Sequence, residues 1–129
     1  MLGVALRGRR SEAVIASKFG FHKGEDTRVY SPEMIAAAID ESLAALDTDY
    51  IDLMQIHWPG NIGFEGSDPS RWLDAAAVVA ALEAAVSAGK IRYYGWCNFG
   101  QDDMSAFKAA GGRAVTNQLP CLLRSNLSS

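Results

Sequence analysis

Asp49-Tyr50-Ile51-Asp52-Leu53-Met54-Gln55-Ile56-His57-Trp58-Pro59 is a mostly apolar run of strand length that ends on a histidine, with a proline close behind it. Proline lacks the amide that a central ladder needs, so the strand is expected over Tyr50 to Ile56, with His57 at its end. Side chains alternate along a strand, which puts Leu53, Gln55 and His57 on one face and Met54 and Ile56 on the other. Both faces are largely apolar, the pattern of a parallel strand covered on each side. In barrels and open α/β sheets chemistry collects at C-terminal strand ends, so His57 is a candidate site residue. Upstream, Ala13-Val14-Ile15-Ala16-Ser17 reads as a second strand that delivers Lys18 at its end.

Helices fill the space between such strands. Ser31-Pro32-Glu33 combines a capping hydroxyl, a proline in the first turn and an acid near the positive end. From there Ile35, Ile39, Ser42, Leu43 and Leu46 recur at spacings of three and four, predicting a helix to about Leu46. Ser70 is expected to cap a second helix over Arg71 to Ala88, stopped by Gly89. Lys90 to Trp96 reads as the third strand, Gln101 to Ala110 as a short helix, and Ala114 to Asn117 as a fourth strand closed by Gln118. Strand, loop and helix thus repeat, which argues for an α/β fold with a parallel sheet and one domain over 1–129.

Composition restricts the partners. The chain has 129 residues, 49% of them apolar and 21% charged, with a formal charge of -3, and shows no basic footprint for nucleic acid or anionic membrane. No run reaches the roughly 20 apolar residues needed to cross a bilayer, and Met1 to Arg10 lacks the apolar core of a signal peptide. Cys97 and Cys121 do not form a secretory staple pattern, so a reducing, cytoplasmic setting is expected. Arg7-Gly8-Arg9-Arg10 reads as the solvated, basic end of a helix, and its position suggests that something has been lost before it. His22 has no second ligand at useful spacing, so it reads as a loop histidine, and no metal site is expected.

Four pieces of the chain resemble the aldo-keto reductases, in family order and over nearly the whole length. They are Glu12 to Gly20, Ser42 to Pro59, Gly89 to Phe99, and Asn117-Gln118. The resemblance implies a (β/α)8 barrel that reduces carbonyls with NADPH or NADH, using a tyrosine, an aspartate, a lysine and a histidine. Lys18 and His57 fall on the lysine and histidine. The tyrosine and aspartate have no matching residues, since in the family they lie upstream of the segment that Met1 to Arg10 resembles. Asn98 and Gln118 match residues that bind the nicotinamide carboxamide, and Cys97 stands where the family usually has a serine. Cys97 is otherwise expected to be an inert, buried thiol rather than a nucleophile for His57. Trp58 resembles a residue of the substrate pocket, its alternative being a core indole over Pro59.

The four strands correspond to the third to sixth of the family's eight, so the fold expected is a partial (β/α)8 TIM barrel of about four parallel β/α units. A complete barrel needs about 250 residues. Leu122-Leu123-Arg124 looks like the start of a cofactor-phosphate loop, without the strands that follow it in the family. The parent activity implied is NAD(P)H-dependent carbonyl reduction, with this chain inactive by itself. The alternative is a noncatalytic half-barrel serving as a protein-interaction module. Either way a homodimer is expected, because two open sheet edges and an inner face with Leu53 and Val115 need cover.

Overall fold

The computed structural model describes residues 2–20, 30–59 and 74–120. The expectations for His22, for a Ser70 cap and for Leu122 to Arg124 fall outside them. A short helix α1 (Leu2–Ala5) and a 3-10 turn (Arg10–Glu12) lead into strand β1 (Ala16–Phe19). Then follow α2 (Pro32–Leu46), β2 (Ile51–Ile56), α3 (Ala75–Ser87), β3 (Ile91–Cys97), α4 (Gln101–Ala109) and β4 (Asn117–Gln118). The strands pair in sequential order, all parallel, as in one half of a (β/α)8 barrel.

Local chemistry sets the helix ends. The Ser31 hydroxyl accepts from the Met34 amide at 3.3 Å, and α2 stops at Asp47, whose left-handed φ of 51° turns the chain out. Asp74 caps α3 by accepting from Ala76 and Ala77. Helix α3 accordingly starts at Ala75.

Register sorts the side chains into rows. Lys18 lies opposite Gln55, and Gln55 opposite Gly95, on one face of the sheet. Phe19, Ile56, Trp96 and Asn117 form a row on the other. That second face carries the core: Phe19, Met54, Ile56, Tyr94 and Trp96 pack with Ile35 and Ile39 of α2, Val78 and Leu82 of α3, and Phe107 of α4. Trp96 anchors it, with ring centroids 4.9 Å from Phe99 and 4.8 Å from Phe107. The first face, which would point into a closed barrel, stays open: Lys18 and Ala16 are exposed and Tyr93 is 58% exposed.

Three sequence expectations shift. Strand pairing in β1 begins at Ala16 and runs to Phe19, so Lys18 sits within the strand instead of just beyond it. The fourth strand is limited to Asn117–Gln118, although Trp96 still donates to the Thr116 carbonyl at 2.8 Å. Arg10 is not a solvated helix end. Its guanidinium donates to Thr48 Oγ1, to the Ala13 and Tyr50 carbonyls and to Asp52, and lies 3.9 Å from the Tyr50 ring centroid. Asp52 is buried and takes Arg92 and the Ile15 amide as well. Burial alone would raise its carboxyl, but the Ile15 and Arg10 hydrogen bonds and the two arginine charges outweigh that and hold it low. This cluster locks the N-terminal ends of the strands, at the far end from His57.

Candidate functional site

β1 and β2 bring Lys18 and His57 together at one end of the sheet. His57 follows Gln55 by two residues, so it shares the face on which Lys18 stands. The His57 amide donates to the Phe19 carbonyl at 2.8 Å, which carries the β1–β2 ladder one step past the strand. Burial first, and the Lys18 charge second, push the His57 imidazole below its ordinary value. Both causes favour the neutral ring, in which one nitrogen carries hydrogen and the other accepts.

β3 adds Cys97 and Asn98. Cys97 is 2% exposed, and burial raises its thiol, a trend that the Lys18 charge partly opposes. A protonated thiol under cover is a poor nucleophile, in keeping with the inert reading. Its sulfur lies 3.8 Å from Gln118 Oε1, a weak contact that spans β3 and β4. Asn98 adopts a left-handed φ of 62° and donates its side-chain amide to the His57 carbonyl at 2.9 Å. The Gln118 side chain is exposed at the same end of the sheet, while the neighbouring Asn117 is turned to the helices, holding both the amide and the carbonyl of Phe99.

Trp58 is 41% exposed, so it is not a core indole. Its ring stacks on His57 with centroids 6.1 Å apart and planes inclined by 18°. Two further residues shape this end without having been singled out from sequence. Tyr30 places its hydroxyl 2.6 Å from the Trp58 carbonyl and 3.0 Å from that of Gly20. The available signal was its position just before the Ser31 cap, where a hydrophobic residue commonly folds back on the first turn. Gln55, 4% exposed, donates to Thr116 Oγ1 at 3.2 Å and so reaches from β2 to the approach of β4. It can do so because Gly95 intervenes: a Cβ there would stand 2.2 Å from Thr116 Oγ1.

A cavity of about 630 Å3 lies elsewhere, lined by Arg10, Ser11, Leu43, Asp47, Thr48 and Tyr50 at the N-terminal strand ends. It contains none of the residues above, which gather at the opposite, C-terminal end of the strands. No group of three or more His, Cys, Asp or Glu is placed to hold a metal ion among the described residues. Nor is any described helix long and apolar enough to cross a membrane.

Comparison with known proteins agrees with this geometry. The model of the aldo/keto reductase family matches residues 1–127. Rho crystallin of Rana temporaria is 31% identical over 93% of this chain and 41% of its own length. Among solved structures, the glycerol dehydrogenase of Gluconobacter oxydans superposes with a TM-score of 0.72 at 30% identity, over 93% of this chain and 36% of that one. An aldo-keto reductase from Klebsiella pneumoniae in complex with NADPH gives a TM-score of 0.67 at 29% identity, over 90% and 36%. The chain thus spans about two fifths of the length of these relatives.

Proposed function

From the premise that the chain belongs to the aldo/keto reductase family, we propose that it forms the substrate- and nicotinamide-facing wall of an NAD(P)H-dependent carbonyl reductase. One observation carries this reading: Lys18 and His57, from adjacent strands, share a face and an end of the sheet, with the Lys18 charge acting on the imidazole. The nicotinamide, when bound, supplies hydride to the carbonyl carbon. The neutral His57 ring donates a hydrogen bond to the carbonyl oxygen, and the Lys18 ammonium offsets the negative charge that grows there. Trp58 flanks His57 and gives the substrate an apolar wall.

The amide residues fit a nicotinamide carboxamide. Asn98 spends its NH2 group on the His57 carbonyl, which leaves Oδ1 as an acceptor. Gln118 takes the Cys97 thiol on Oε1 and keeps its NH2 group as a donor. One acceptor and one donor complement the NH2 and C=O of a carboxamide. No metal enters this chemistry.

The same reading makes these 129 residues incomplete for turnover. None of the described tyrosines is placed to hand a proton to the alkoxide. Tyr50 lies under Arg10 and Arg92 at the far strand ends, and Tyr94 donates to Glu83 among the helices. Tyr93 lies opposite Leu53, two residues before Gly95 in the row of Lys18 and four before the end of β3, and Tyr30 is engaged by backbone carbonyls. We therefore expect the chain to bind the nicotinamide end of the cofactor weakly and not to reduce carbonyls alone. Following NADPH absorbance with a panel of reactive aldehydes tests this; turnover that disappears with His57→Gln would overturn the inactivity and show that a replacement acid exists.

A second reading, a noncatalytic half-barrel that self-associates in the cytoplasm, draws on the open face with Ala16, Leu53 and Tyr93. A homodimer would cover this face and the two sheet edges. Light scattering across a wide concentration range decides it, a monomer throughout counting against the dimer.

A further inference from the structure

Three backbone hydrogen bonds pin the segment His57-Trp58, each from a different element. Phe19 of β1 accepts from the His57 amide, Asn98 beyond β3 donates to the His57 carbonyl, and Tyr30 ahead of α2 donates toward the Trp58 carbonyl. Only the third comes from a side chain with no part in the reaction proposed above. Its hydroxyl also reaches the Gly20 carbonyl, so a single phenol spans the chain just after β1 and just after β2. Those are the chain positions that follow Lys18 and His57. The approach is close by construction. Gly20 has φ of 84°, and a Cβ on it would stand 2.8 Å from the Tyr30 ring. The ring itself rests near Phe19, centroids 6.5 Å apart. Desolvation pushes the Tyr30 hydroxyl up to about 12, which keeps it protonated and donating at neutral pH and makes it a poor proton donor to a substrate.

We propose that Tyr30 is a positioning residue for His57: its hydroxyl clasps the Gly20 and Trp58 carbonyls, holding the ends of β1 and β2 together so that Lys18 and the Trp58 ring stay against the imidazole. The inference rests on reading His57 as the neutral donor to a carbonyl. Among the described residues, the charge that acts on that imidazole is Lys18 of β1, which also acts on the Cys97 thiol of β3, while Tyr30 is tied to the backbone carbonyl of the next residue, Trp58. Without the clasp the strand ends part, water reaches the ring and Lys18 moves off, so the imidazole recovers proton affinity.

The test is the titration of His57 by NMR in the full 129-residue chain, its resonance assigned against a His22→Gln variant. Tyr30→Phe keeps the ring and removes the hydroxyl. The expected result is a rise of the His57 midpoint toward the ordinary imidazole value by at least about 0.3 unit, a twofold change in proton affinity. A purely structural tyrosine would lower the thermal midpoint and leave the titration of the folded protein where it was, and that result overturns the proposal. Should Tyr30→Phe fail to fold, Gly20→Ala crowds the same contact with the hydroxyl retained, and its His57 midpoint decides. Absent NADPH binding would sink the carbonyl reductase reading alone, because this titration needs neither cofactor nor turnover.

Discussion

The side-chain amide of Asn98 donates to the backbone carbonyl of His57 at 2.9 Å while Asn98 itself sits at φ 62°. Backbone shape and hydrogen bond can be separated by two substitutions. Asn98→Gly keeps the left-handed conformation and loses the bond, which costs about 1 kcal/mol. Asn98→Ala loses the bond too but, unlike Gly, keeps a Cβ in that region without the polar side chain that helps Asn tolerate it, and should fall about 1–2 kcal/mol below the Gly variant. Urea denaturation should rank the proteins wild type, Gly, Ala; equal stability of the two variants would mean that the conformation is not strained.

Asp52 gives the chain an acid-sensitive lock. Its folded-state value lies below the unfolded one of about 3.9. Above about 3.9 the unfolded and folded chains both carry the ionised carboxyl and the full stabilisation is present. As pH falls toward the folded value the unfolded state binds the proton first, and stability is lost. Glu83, held low chiefly by hydrogen bonds from Arg113 and Tyr94, adds to the loss in the same direction. Asp52→Asn should cost about 3 kcal/mol at pH 7, the lower end for a broken buried pair, because Arg92 is half exposed and Arg10 keeps Thr48, Ala13 and Tyr50. Denaturation curves between pH 7 and pH 3 should also flatten in that variant. A wild-type slope in it would assign the acid loss to other groups, Glu83 and His57 among them.

Periodicity and caps made the parallel α/β order legible, and the alternation in β2 placed Gln55 and His57 on one face. What stayed hidden was set by contacts across more than one element. Arg10 lies in a basic run that reads as solvated, and only the folded chain brings Asp52 and the Tyr50 ring to it. Tyr30 lies 28 residues from the Trp58 carbonyl that it holds. The cap on α3 at Asp74 was not singled out, because Asp and Ser are equally good caps by residue type and sequence alone does not rank Asp74 against Ser70. Cys97 read correctly as a covered thiol, whereas its weak link to Gln118 needed the β3–β4 register.

Gly95 leaves room for the Gln55 side chain to reach Thr116. In Gly95→Ala the new Cβ meets Thr116 Oγ1 at 2.2 Å and the Thr116 carbonyl at 3.0 Å. Overpacking of this kind costs about 1–3 kcal/mol. Removing the hydroxyl in Gly95→Ala/Thr116→Ala takes away the worse conflict but not the backbone one, so stability should return in part. Hydrogen exchange locates the damage: the Trp96 and Asn98 amides, which bond to the Thr116 and Gln118 carbonyls, should speed up while the Leu53 amide, bonded to Ile15, does not. Uniform acceleration would point to global destabilisation instead of displacement of β4.

Lys18 and burial depress the His57 imidazole together, and their order makes a quantitative claim. Burial is the larger cause and the Lys18 charge the smaller. Lys18→Met removes the charge and keeps an unbranched apolar stem, so the His57 midpoint should rise yet stop short of the free imidazole value of about 6.5. Salt should act in the same direction on the wild type and have little effect on the variant, because it screens an exposed ammonium and not desolvation. The stability consequence follows by sign. A base whose folded-state value is depressed leaves the unfolded state with more protons as pH drops through 6.5, so the wild type should lose stability from about pH 6.5 downward. Lys18→Met should lose less over that window, and His57→Gln none from this source. An NMR midpoint in Lys18→Met equal to that of the wild type would separate the two residues electrostatically and remove the observation on which the carbonyl reductase reading rests.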